Sequence, residues 1–109
     1  YSPIVDHPLD EWRAILDLCV TGVFLTIKHA ALAMHDGGSI ITVASLNGTQ
    51  PSAGMSAYCT AKAGVVMLTK VAAMALAPDK SQCSTSSISF RIVPLECILM
   101  YCANLSSRE

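Results

Sequence analysis

The chain has 109 residues, 52% of them apolar and 14% charged, with a net charge of −1. The near-neutral charge, with no basic cluster, excludes a nucleic-acid binder and a polybasic membrane surface. The length suits one small domain, and the apolar share exceeds what such a domain needs, so these residues are expected to belong to a larger fold that covers their apolar faces.

Two apolar stretches fall short of a membrane span, which needs about 20 such residues. Residues 64–77 contain Lys70, and residues 92–103 contain Pro94 and Glu96. No signal peptide opens the sequence, and the start at Tyr1-Ser2-Pro3 reads as a cut terminus. The five cysteines are an odd number without a CxxC pair, which points to a reducing cytosol and away from a disulfide framework or zinc site. His7, His29 and His35 lack metal-ligand spacing, and no metal is expected.

In chain order, a loop with Pro3 and Pro8 comes first. Apolar residues then recur at Leu9, Trp12, Leu16, Cys19, Val20, Val23, Phe24, Ile27, Ala31 and Met34. Steps of three and four predict one long amphipathic helix, with Asp10 and Glu11 set against its positive end. His35-Asp36-Gly37-Gly38 stops it, because paired glycines allow a tight reversal. The run from Ser39 to Ser45 is short, apolar and β-branched, as expected of a buried parallel strand. A polar loop follows over 46–55, and a second helix is predicted from Ser56 to about Leu76, with Pro78 beyond it. Tyr58, Lys62, Val65, Val66, Thr69, Ala72, Ala73 and Leu76 are expected on its inner side. Helix, strand, helix with short links predicts an α/β fold built on a doubly wound parallel sheet. The stretch 79–109 changes character. Its "DKSQCSTSSIS" is polar and low in complexity, and "FRIVPLECILMY" reads either as a strand broken by Pro94 or as a poorly ordered apolar tail.

Three residues carry candidate chemistry. Reducing a carbonyl by hydride transfer needs a proton for the developing alkoxide. A tyrosine hydroxyl supplies it if a cation lowers its ordinary pKa of about 10. Residues four apart share a helix face, so Tyr58 and Lys62 are expected to project together. Ser45 closes the strand at the edge where open α/β sheets bind ligands, placed to hold the substrate oxygen. A Tyr-x-x-x-Lys pair alone is common; the ordered set of helix, Gly-Gly, strand, Ser, loop and Tyr-Lys helix makes it specific.

"DEWRAILDLCVTGVF", "GGSIITVAS" and "GMSAYCTAKAGV" resemble, in that order, the short-chain dehydrogenase/reductase family. The resemblance runs from about Pro3 to Pro78. It implies a Rossmann-like fold, NAD or NADP as cofactor, and a small alcohol or carbonyl substrate. It implies Tyr58 as general acid/base, Lys62 as the cation that tunes it and binds the nicotinamide ribose, and Ser45 as the substrate-orienting group. Leu46, Asn47 and Met55 become pocket residues, and the two long helices become a homo-oligomer interface. Residues 1–78 are then the catalytic segment and 79–109 a divergent tail. Three departures stand out. Cys19 occupies the position of the family's Asn, which relays protons to the lysine through water; a thiol is a weak donor and acceptor, and a small buried apolar role is expected for it. The family's Gly-rich phosphate turn is not among these residues. After Pro78 the family's next strand does not follow; Ser81-Gln82-Cys83 admits codons that read Val-Asn in the next frame, which suggests a frame slip that the coding DNA decides. The alternative reading is a catalytically inactive fragment that associates through its apolar helices.

Overall fold

A computed structural model describes residues 1–36 and 38–76, together with the backbone of 88–94. Helix α1 (Leu9–Leu16) passes through a π turn (Asp17–Thr21) into α2 (Gly22–Ala33), so the helix expected from the periodicity runs unbroken over Leu9–Ala33. A π turn holds more residues than an α turn, so the faces before and after it rotate relative to each other. Simple steps of three and four do not register such a shift. By length and composition this run is apolar enough to cross a membrane. In this fold its inner residues pack on the strand and on the second helix.

Met34 leaves the helix with a ψ of 66°. Strand β1 (Gly38–Ala44) follows, one residue earlier than expected at each end. The Gly37 half of the predicted Gly-Gly reversal lies outside the described residues. A 3-10 turn (Leu46–Gly48), a loop, and helix α3 (Ser56–Ala75) come next. Strand β2 (Ile88–Pro94) pairs parallel with β1, from Gly38 opposite Ile88 to Ala44 opposite Pro94. Parallel neighbours need a long crossover, and the connection through α3 supplies it. Of the two readings of the "FRIVPLECILMY" stretch, the strand holds as far as Pro94, whose missing N–H cannot extend a ladder. The expectation of a poorly ordered tail otherwise lies outside the described residues.

Helix α3 buries Ala57, Ala61, Val65, Thr69 and Ala72. The inner stripe therefore begins one residue before Tyr58 and before Lys62, both of which are half-buried beside it. Alanine lets the helix come close, which a phenol or an ammonium does not. Gly64 shows the same closeness on another side: an added Cβ would meet a Val20 methyl at 3.4 Å. A core of Ile27, Ile40 and Ala72 joins α2, β1 and α3, with Val23, Met34 and Leu68 packed around it. Burying Val65 fully is worth about 1.5–3 kcal/mol.

One polar pair crosses this core. Thr69 Oγ1 donates to the Val65 carbonyl at 2.7 Å, which uses its single proton. Thr42 Oγ1, 2.8 Å away, is then the donor to Thr69. The strand was expected to be buried on both faces. Instead Ile40, Thr42 and Ala44 are buried, while Ile41 is 59% and Val43 38% exposed. Both helices meet β1 through the core on one face, so among the described residues the sheet is covered on that side only.

Candidate active site

The 3-10 turn after β1 sets the first part of the site. Ser45 is buried and extended (φ −145°, ψ 159°), and its Oγ accepts from the Asn47 backbone N–H at 3.3 Å. Its carbonyl accepts from Gly48 N at 2.9 Å. A serine that caps a turn in this way has its side chain oriented by local backbone.

Asn47 ties the loop to itself. Its Oδ1 accepts from Ser52 Oγ at 3.3 Å, and its Nδ2 donates to Met55 Sδ at 3.4 Å. Asn47 and Met55, expected as pocket residues, thus act together as a brace across the loop. Met55 also lines a cavity of 260 Å³ with Tyr58. Leu46, the third pocket candidate, is exposed at the start of the 3-10 turn.

Gly48 fastens this loop to α3. A Cβ there would lie 2.8 Å from the Lys62 carbonyl oxygen and 2.9 Å from its carbon, both of them backbone atoms that cannot swing away. Only glycine permits that approach. Gly54, at φ +76°, then turns the chain toward α3, and its carbonyl accepts from Ser2 N at 3.0 Å. Sequence reasoning passed over Gly48, although its place three residues after Ser45 and inside the polar loop was a signal.

Tyr58 and Lys62 stand one helical turn apart, and the Lys62 Nζ lies 5.7 Å from the centroid of the Tyr58 ring. The same Nζ donates to the Val43 carbonyl at 3.2 Å, which draws the ammonium toward the end of β1. Lys62 is therefore tied to the end of β1 through Val43 and, by its backbone, to the turn after Ser45 through Gly48, with Tyr58 one helical turn before it.

Cys19 belongs to the π turn. It is a half-buried free thiol, more open than the buried role expected for it. It lines a cavity of 350 Å³ together with Val43 and Lys62. The second described cysteine, Cys59, is also a free thiol.

A phenol with an ammonium one helical turn on can hold an oxygen and move a proton to it. A model of the short chain dehydrogenase family matches residues 1–89. The chain is 43% identical over 76 residues to a trans-4-hydroxycyclohexanecarboxylate dehydrogenase of Sinomonas cyclohexanicum, a match covering 69% of the chain and 29% of that enzyme. A crystallised short-chain type dehydrogenase/reductase from Mycobacterium marinum superposes with a TM-score of 0.66 at 47% identity, over 81% of this chain and 37% of that one. An acetoin dehydrogenase from Enterobacter cloacae gives 0.66 at 36% identity, over 69% and 31%. The chain thus spans less than two fifths of each of these relatives. With the family model covering most of its length and the helix–strand–helix unit superposing on solved members, the chain belongs to the short-chain dehydrogenase family.

Proposed function

We propose that these residues are the catalytic segment of an NAD- or NADP-dependent oxidoreductase that interconverts an alcohol and a carbonyl. Tyr58 is the general acid in reduction and the base in oxidation. Lys62 sets its ammonium beside the Tyr58 ring, 5.7 Å from the centroid. Ser45 holds the substrate oxygen while charge develops on it. The observation that carries this reading is the Lys62 ammonium 5.7 Å from the Tyr58 ring, at the end of the strand that delivers Ser45.

The residues present fit the nicotinamide ribose. An ammonium has three donors, one of which goes to Val43, and Lys62 borders a 350 Å³ cavity. When bound, the nicotinamide gives or takes the hydride. Lys62 and Tyr58 would hold its ribose, and Ser45 and Tyr58 would fix the substrate oxygen. A doubly wound fold, with helices on both faces of its sheet, suits the bare face of β1 where Ile41 and Val43 are exposed. The substrate class is a small alcohol or ketone, as the names of the relatives suggest.

The test is a chimera. Residues 1–76 replace the matching segment of the Enterobacter acetoin dehydrogenase, and turnover is followed by NAD(P)H absorbance. Activity that Tyr58→Phe lowers at least about a hundredfold supports the assignment. Activity that survives Tyr58→Phe overturns it.

A second reading has its own observation. Leu32, Met67, Val71 and Met74 of α2 and α3 are exposed, beside a groove of 450 Å³ lined by Phe24, Ile27, Leu68 and Leu76. Such a face favours association of like copies, with the 109-residue chain itself inactive. Fluorescence titration with NADH and NADPH separates the two: cofactor binding favours the enzyme segment, and self-association without binding favours the association module.

A further inference from the structure

The start of α1 holds polar atoms for which the proposed chemistry has no use. Both ring nitrogens of His7 and the Oγ of Ser56 are buried and lack a hydrogen-bond partner among the described residues. Folded proteins pair nearly all such atoms, with protein groups, water or a ligand. His7 and Ser56 line one cavity of 180 Å³ with Ile4, Leu9 and Trp12. His7 also lines the 260 Å³ cavity that reaches Tyr58, so the imidazole is part of the wall of both. Trp12 holds the plane of that imidazole, edge to face at 6.2 Å and 86°.

The donor set limits what fits. A neutral imidazole offers one donor and one acceptor, and a serine hydroxyl does both. An alcohol group, itself donor and acceptor, satisfies them together. A carboxylate only accepts and leaves the basic nitrogen of a neutral imidazole unpaired. Asp6, Asp10 and Glu11 on the same segment also disfavour an anion. The space of 180 Å³, open toward solvent past the exposed Ile4 and Leu9, admits water or one small polyol. Ile4, Leu9 and Trp12 suit the carbon skeleton of the polyol.

We infer that this cavity is a subsite for a hydroxyl group of a neutral substrate, read by His7 and Ser56. The inference rests on the Tyr58 assignment for its orientation only: the reacting carbon lies at Tyr58 and the second hydroxyl at His7.

The test uses the full chain labelled with ¹³C at histidine, without cofactor, so its outcome is separate from that of hydride transfer. His29 and His35 are exposed and serve as internal references. The probes are 1,2-propanediol, 1-propanol and sodium propionate. The expected result is a saturable shift of the His7 signal alone with the diol, weaker with propanol and absent with propionate. Ser56→Ala should weaken the diol about three- to tenfold, as loss of one neutral hydrogen bond implies. His7→Leu, with an otherwise superposable amide spectrum, should abolish saturable shifts at the Ser56 amide. No saturable shift at His7 means a water-filled cavity and overturns the inference. So does a shift shared by all three histidines, equal affinity for propanol, or no effect of Ser56→Ala.

Discussion

The two ends of α3 differ sharply. Its first half, from Ala57 to Val65, is packed by small residues against the strand end and the 3-10 turn, with Ala61 and Val65 at 0% exposure. Its second half shares a buried contact with α2 and β1 but leaves Met67, Val71 and Met74 exposed, Met74 at 81%. The candidate site lies on the first half. Two local contacts, Ser45 to Asn47 and Asn47 to Met55, and two longer-range ones, Gly48 to Lys62 and Lys62 to Val43, hold it. The second half needs a partner surface to bury its apolar residues. The candidate site thus rests on contacts made within the described residues, two of them between segments well apart in the chain, whereas cover for the helices depends on contacts the described residues do not make.

The largest effect that probes this contrast is chemical. Tyr58→Phe in the chimera should lower turnover about 10²- to 10⁴-fold, with the fold unchanged by circular dichroism. Equal activity would detach the packed half from the chemistry. Next is the core pair. Thr69→Val leaves the buried Thr42 hydroxyl without its acceptor and should cost about 1–3 kcal/mol in urea denaturation. The double change Thr42→Val with Thr69→Val should recover part of that loss; no recovery would mean the pair is not coupled. Gly48→Ala should cost about 1–3 kcal/mol, because the new Cβ forces the 3-10 turn off the α3 backbone. In the chimera it should also lower activity, and a stable, fully active variant would show that the loop has another anchor. The smallest effect on stability belongs to the open half. Met74→Lys should change stability by no more than about 0.5 kcal/mol while reducing self-association in sedimentation velocity. A large loss of stability would mean that Met74 is packed after all.

Much of this was legible beforehand. The two helices and the strand came within one or two residues of the periodicity, because an amphipathic 3.6-residue repeat and a β-branched run are local signals. The Tyr58–Lys62 pairing followed from helical spacing. The π turn was not legible, since no residue type in Asp17–Thr21 specifies it. Nor were His7 and Ser56, whose unpaired atoms come together only when the start of α1 packs beside the start of α3. On α3 the expected inner residues Val65, Thr69 and Ala72 are buried, but in its first turns close approach selected Ala57 and Ala61 over Tyr58 and Lys62.

From its sequence alone, then, the chain is a helix–strand–helix unit of the short-chain dehydrogenase family, with Ser45 just past the strand and Tyr58 and Lys62 one helical turn apart. These features reside in local periodicity and in the spacing of a few residues. Tertiary structure alone decided how the loop sits on α3 through Gly48, which face of β1 is covered, and that His7 and Ser56 line one pocket. Those outcomes depend on close contact between segments far apart in the chain, and side-chain volume and backbone approach determine them together.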